Sequence, residues 1–270
     1  MKKKSKKTSK AYEWTKDILL LVLLLSLALS AIGQPNLSEE KYLIGATTLG
    51  AKAYFGGGDL CNSTLSSSKV EIYDAATGDW DISHDLSVAR ALCASVTSGT
   101  KVLFAGGAHF SGSGVTVFSE VDILETTTGE WIVEYLSVPR VTSAVSKDNI
   151  VIFAGGILSQ PVTTNVVDIY NTNSGEWTTA TLSEARDVRA AVVVGDLAMF
   201  AGGYKAGRAG QKVSKRVDIY HFSTGEWTID SLSVPRGFLT ATVVGNKALF
   251  AGGMTNDNQE SKIVDIYDSS

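Results

Sequence analysis

The chain has 270 residues, a formal net charge of −4, 26 glycines, four prolines and two cysteines. A charge this close to neutral speaks against a nucleic-acid partner. Two cysteines cannot hold together a disulfide scaffold, and no Cys-x-x-Cys is present for zinc.

Met1 to Asp17 carries seven lysines against Glu13 and Asp17, and residues 18–32 then read ILLLVLLLSLALSAI. A basic segment, a short apolar core and small residues at its end describe a secretory signal over residues 1–30, with Ala28-Leu29-Ser30 or Ala31-Ile32-Gly33 at the cleavage point. The alternative is an uncleaved anchor over 18–32, although that run is short of the roughly 20 apolar residues a spanning helix needs. No cysteine follows the core, which argues against a lipoprotein. Either way the remainder is expected outside the cytoplasm, whether secreted, periplasmic or on the cell surface, and the membrane is touched only through this segment.

From Leu37 onward the chain repeats itself. A glycine pair recurs at Gly57, Gly106, Gly155, Gly202 and Gly252, at steps of 49, 49, 47 and 50 residues. A V-[DE]-I run starts at Val70, Val121, Val167, Val217 and Val264. A turn and tryptophan recur as Thr77 to Trp80, Thr128 to Trp131, Ser174 to Trp177 and Thr224 to Trp227. An L-S-x-x-R element recurs as Leu86 to Arg90, Leu136 to Arg140, Leu182 to Arg186 and Leu232 to Arg236, with Leu37 to Lys41 as a weaker copy. Each copy has room for four short strands and none for a helix. The repeats run over about 37–86, 87–136, 137–182, 183–232 and 233–270, forming one domain over 37–270. A period near 50 with four strands per copy marks a propeller array.

The residue types follow from the packing of such an array. Strands covered on both faces read as apolar on both sides, as Leu249-Phe250 and Ile219-Tyr220 do. The glycine pair fits a strand end where φ turns positive or backbones approach closely. One tryptophan per copy, burying about 150–250 Å², is expected to contribute much of the contact between copies. The repeated arginine is expected to pair with the repeated acid or with carbonyl groups. The last copy reaches Val264 to Ser270, short of its Thr-Gly-Glu-Trp. Either more repeats follow in a longer chain, the favoured expectation, or residues 32–36 supply the absent strand.

A glycine pair, an aromatic and a tryptophan at fixed step resemble the kelch repeat. Tyr73, Leu124, Tyr170 and Tyr220 each precede their tryptophan by seven residues, with Leu124 a departure from the aromatic pattern. The resemblance covers Leu37 to Ser270. It implies an all-β, kelch-type β-propeller of four-stranded antiparallel blades after one apolar N-terminal helix. Members commonly carry six or seven blades, and the copies look closer to those of secreted bacterial kelch proteins than to those of cytoplasmic ubiquitin-ligase adaptors.

Positions shared by all copies do structural work, so positions that break the repeat are the functional candidates. The segments after each glycine pair (Asp59 to Lys69, Ala108 to Glu120, Ile157 to Val166, Tyr204 to Arg216, Met254 to Ile263) are irregular and share one rim in the family. Asp59 and His109 stand on this rim. The fourth segment carries Lys205, Arg208, Lys212, Lys215 and Arg216 with no acid, suiting an anionic partner. Arg189 replaces Cys93, Ser143 and Leu239 of the other copies on a strand that lines the channel in the family.

His84, His109 and His221 fall on different parts of the repeat and are not expected to converge on a metal. Residues 256–260 (NDNQE) lack the glycine and spacing of a calcium loop. No cofactor is implied. Cys61 and Cys93 form a disulfide or remain two thiols. Asn36 and Asn62 sit in glycosylation patterns relevant to a eukaryotic source.

The expected function is a non-catalytic, exported scaffold that binds a protein or glycan through its rim loops. The alternative is a carbohydrate-active enzyme like the galactose oxidase or sialic acid epimerase propellers. The copper site of the oxidase type has no matching residue set here. An epimerase needs only one or two polar groups in the funnel, with Arg189 and Arg208 as the natural tests.

Overall fold

The computed structural model describes residues 36–270 apart from 61–64, 113, 160–161 and 206–211, and without the side chains of Ser83, Ser159 and Lys212. The leader, its cleavage points and the N-terminal helix expected over residues 1–30 therefore lie outside the described residues, as do Cys61 and Arg208. Glu39–Ser270 forms one compact unit. Among the described residues every regular element is a strand, and no helix is long and apolar enough to cross a membrane.

Four antiparallel sheets of four strands follow one another along the chain. The first is Gly45–Leu49, Lys52–Gly56, Lys69–Asp74 and Trp80–Asp85. The second is Ala94–Ser98, Lys101–Ala105, Glu120–Glu125 and Glu130–Tyr135. The third is Val141–Lys147, Ile150–Ser159, Val162–Asn171 and Trp177–Thr181. The fourth is Ala190–Val194, Leu197–Ala201, Arg216–His221 and Trp227–Ser231. A fifth sheet has three strands, Thr240–Val244, Lys247–Ala251 and Val264–Asp268. Within each sheet the strands lie in chain order, and the first strands of successive sheets lie side by side. This succession of face-packed sheets is consistent with a β-propeller.

The core sits between the sheets. Leu103, Val121 and Ile123 of the second sheet cluster with Phe153, Tyr170 and Trp177 of the third. Ile152 and Val167 of the third cluster with Phe200, Tyr220 and Trp227 of the fourth. Each interface thus sets an aliphatic face against an aromatic one. Trp177 stacks on Tyr170 at 4.5 Å, and Trp80 lies 5.8 Å from Phe55. The tryptophans are partly exposed, and the phenylalanines Phe104, Phe153 and Phe200 of the same sheets are fully buried.

The L-S-x-x-R and V-D-I elements form one device. The leucine is buried, as with Leu136 at 3% exposure. The serine amide donates to the acid: Ser87 N–H lies 2.8 Å from Asp122 Oδ1, and Ser183 N–H 2.8 Å from Asp218 Oδ1. The arginine is fully buried and donates both to that acid and to carbonyl groups of its own sheet. Arg90 reaches Asp122 at 2.6 Å through Nη2, Gly106 O at 2.7 Å through Nε and Val88 O at 2.9 Å through Nη1. Arg140 reaches Asp168 at 2.7 Å, Gly155 O at 3.1 Å and Phe153 O at 3.2 Å. The repeated arginine therefore uses the acid and the carbonyls together. In the first sheet a fully buried Lys41–Glu71 pair at 2.8 Å takes the same place.

The arginine also ties neighbouring sheets. Its own carbonyl accepts the amide of the second glycine of the preceding sheet: Gly58 to Arg90 at 2.9 Å, Gly107 to Arg140 at 3.0 Å, Gly156 to Arg186 at 2.9 Å and Gly203 to Arg236 at 2.9 Å. That approach requires glycine. A Cβ on Gly106 would stand 2.2 Å from Arg140 O, and its φ is +57°.

Removing one member of a buried, hydrogen-bonded ion pair typically costs about 3–5 kcal/mol. Arg140→Met, which strands Asp168 and several carbonyls, is expected to lower the urea midpoint by a loss of that order. Arg236→Met is expected to cost less, because its partner Asp265 is already 21% exposed against 2% for Asp168. Equal losses, or none for Arg140→Met, contradict this account of the device.

Candidate functional site

Some of the segments that follow glycine pairs carry short strands of their own. Ala108–Ser111 pairs with Gly114–Val117, and Tyr204–Lys205 pairs with Lys212–Val213. In the third sheet the second and third strands extend through the segment, with Ser159 opposite Val162.

Asp59 and His109 are brought together by a residue that the sequence reading did not single out. Asp59 is 6% exposed and accepts from Ser66 Oγ at 2.6 Å, and the same Oγ lies 2.8 Å from His109 Nδ1. With the serine proton directed at the carboxylate, Oγ is placed to accept from the histidine Nδ1–H. The order acid–serine–histidine is not that of a nucleophilic triad, in which the acid holds the histidine.

Arg189 stands just before the first strand of the fourth sheet and is paired. Its Nε lies 3.0 Å from Asp187 Oδ1 and 3.1 Å from Oδ2. Asp187 is 5% exposed, and burial pushes its carboxyl above the ordinary carboxylate value, with Arg189 opposing. The pairing occupies Nε, and the two Nη groups make no hydrogen bond to any described residue. Asp187 exchanges backbone hydrogen bonds with Tyr204, at 2.8 and 3.1 Å. The Tyr204 ring lies over Gly237, where a Cβ would stand 2.3 Å from it, and 4.5 Å from the ring of Phe238. Phe238 is 59% exposed and left-handed at φ +52°. A bulky residue so placed is strained.

Lys205 does not stand as a free cation. Its Nζ lies 3.4 Å from Glu184 Oε1, while Ser214 Oγ donates to Glu184 Oε2 at 2.7 Å and Arg216 Nε lies 3.9 Å from Oε1. Glu184 is held below the ordinary carboxylate value: partial burial raises it, and the Ser214 hydrogen bond and Lys205 together outweigh that. These groups border a cavity of about 400 Å³ with Lys215, Ser231 and Pro235. The basic segment is thus partly neutralised by an acid from the preceding L-S-E-A-R element. Lys212 contributes backbone pairing to Lys205, and Arg208 lies outside the described residues.

Cys93 is a free, buried thiol, and burial raises its pKa; Cys61 lies outside the described residues. Among the described residues no cluster of three or more histidine, cysteine or acidic groups converges for a metal.

These features describe an all-β protein of successive four-stranded antiparallel sheets, consistent with the propeller type. No protein-family model matches the chain, and no curated protein matches its sequence. Among solved structures it is similar to YjhT, with a TM-score of 0.65 at 16% identity over 84% of each chain. At that identity the likeness concerns the fold.

Because the folded state binds a proton at Asp187 more readily than the unfolded chain does, stability falls as pH rises from the ordinary carboxyl value of 3.8 through the raised one. Asp187→Asn is therefore expected to melt higher than the parent at pH 7 and to lose that advantage near pH 3. Parallel melting curves at the two pH values check this; a variant less stable than the parent at pH 7 contradicts it.

Proposed function

We propose that the chain is an exported kelch-repeat propeller that works as a non-catalytic scaffold, binding a protein or glycan with anionic groups through its rim. The observation that supports this best is Arg189. It is oriented by a buried carboxylate yet keeps both Nη groups available, at a position where the other copies have Cys93, Ser143 and Leu239. A guanidinium fixed through Nε presents a two-pronged donor suited to a carboxylate or sulfate. Lys205, Arg216 and Lys215 add positive charge on the same rim, and the exposed Phe238 offers an apolar face beside it. Export rests on the lysine-rich, apolar start of the sequence, and the kelch reading on the repeated glycine pair, aromatic and tryptophan.

One observation favours the second reading, a carbohydrate-active enzyme. Asp187 is a buried carboxyl with a raised pKa next to an arginine, and such groups can move protons. A panel of acidic and neutral glycans, screened for binding and for turnover, separates the two. Binding of acidic members without turnover is expected. Arg189→Ala and Lys205→Ala should each weaken it about tenfold, roughly 1.4 kcal/mol, with Arg189→Lys failing to restore the first. Unchanged affinity in both variants contradicts the rim-cation reading. Turnover that disappears in Asp187→Asn establishes the enzyme instead.

A further inference from the structure

Two departures from the repeat meet between the first and second sheets. Tyr73, Tyr170 and Tyr220 each set a ring against the tryptophan of their own sheet, at 5.2, 4.5 and 5.2 Å. The second sheet has Leu124 in that place, and Trp131 instead meets the ring of His84 from the first sheet, at 5.6 Å. His84 belongs to a strand that carries one extra residue. Leu86 lies six residues after Trp80, whereas Leu136, Leu182 and Leu232 lie five after their tryptophans. The extra residue forms a bulge: Val70 stands opposite His84 and Ile72 opposite Asp81, while Val121 to Ile123 run opposite Glu134 to Ile132 without a break. Bulges re-aim side chains and are over-represented at functional sites.

Both departures border one cavity of about 590 Å³, within the roughly 300–1,000 Å³ of small-molecule sites. Leu124, Tyr54 and Ile72 supply apolar wall, and His84, Lys52 and Asp74 supply polar wall, with Lys52 paired to Asp74 at 3.7 Å. The cavity lies beside the turns at Gly50 and Gly129, at the opposite strand ends from the glycine pairs. Neither ring nitrogen of His84 makes a hydrogen bond to any described residue. The next interface shows what the repeat usually puts here. Tyr170 is 3% exposed, and its hydroxyl pKa is raised by burial first and then by Glu134 of the second sheet, with Lys101 opposing. Glu134 and His84 hold the same register position, opposite Val121 and Val70, and Lys101 and Lys52 begin the same strand of their sheets. The first interface thus keeps polar groups where a tyrosine hydroxyl would stand and lacks the tyrosine.

We propose that this cavity binds a small phenol. The ligand ring lies beside Leu124, where the other repeats supply their own tyrosine, and its hydroxyl hydrogen-bonds to a ring nitrogen of His84. A flat ring with one polar tip suits a slot walled by Leu124, Tyr54 and Ile72 on one side and by His84 on the other. The hydroxyl sets a phenol apart from an arene without one, because a site built around a polar group discriminates against a ligand that leaves that group unpaired. The site shares no residue with the rim cations Arg189 and Lys205, and its occupancy does not depend on what they bind.

Isothermal titration of the full chain with p-cresol, the tyrosine side chain as a free molecule, tests this. Saturable binding at one site is expected, at least about tenfold tighter than that of toluene. Leu124→Tyr supplies the ring from within, and it should weaken p-cresol binding at least about tenfold while keeping a cooperative melt. Leu124→Phe, a smaller change, should weaken binding in the same direction and serves if the tyrosine variant does not fold. His84→Phe keeps a ring against Trp131 but removes the hydrogen-bond partner, so p-cresol should then bind no better than toluene. Absence of saturable binding in the parent overturns the proposal. So does equal p-cresol affinity in the parent and a folded Leu124 variant, or equal affinity of the parent for p-cresol and toluene.

Discussion

A fully buried arginine in the L-S-x-x-R element governs how this chain is assembled. Its guanidinium is saturated from within one sheet, by the V-D-I acid, by the carbonyl beside the glycine pair and by the carbonyl two residues back. Its own carbonyl is spent on the sheet before, where only glycine lets the backbone come near enough. A cation with a planar fork of five donors can serve that many acceptors at once, and burying it is tolerable only because nearly all are used. The short, mostly aliphatic and aromatic strands could slide over one another as simple apolar faces. The arginine carbonyl contact specifies which residue of one sheet meets which residue of the next.

The first repeat shows how much of this can be relaxed. Lys41 and Glu71 replace arginine and aspartate, and the longer acid offsets the shorter, single-headed cation to keep a 2.8 Å contact with both side chains fully buried. Leu43, Leu92 and Phe238, each two residues after the cation, are nevertheless left-handed, at φ of +55°, +56° and +52°. In these three repeats, though not at Thr142 or Val188 of the other two, the chain leaves the device in a conformation that bulky residues resist, and in the fifth repeat it holds an exposed aromatic ring against Tyr204.

Much of the fold was legible because it recurs. The glycine pair, the V-D-I run and the L-S-x-x-R element repeat in step, so their strands and turns followed from spacing alone. The pairing of arginine with the acid was expected too, but the serine's part in it was not, because the Ser87–Asp122 amide contact joins residues 35 apart that only folding brings together. The rim hairpins were hidden for another reason: their strands of two to four residues are too short to show alternation. Of the candidate residues, Arg189, Asp59, His109 and Lys205 were found because they break the repeat, but their partners Asp187, Ser66 and Glu184 were passed over. Asp187 had a visible signal, since Ala91, Val141 and Gly237 occupy its place in the other copies. Ser66 had none, being one serine in a serine-rich loop.

Function in this arrangement follows from what the repeated device leaves free. Sheet faces are consumed by packing, and the glycine pairs by the arginine carbonyls, so most chemical variety falls in the segments that leave the glycine pairs and in the residues just after each arginine. The central claim is that the glycine amide–arginine carbonyl contacts hold the sheets together as one cooperative body. Amide hydrogen exchange at Gly107, Gly156 and Gly203 tests it most directly. The account predicts that these three amides exchange only through global unfolding, with protection equal to that of central strand amides such as Phe153. Fast exchange at the glycines while the strands stay protected would contradict it.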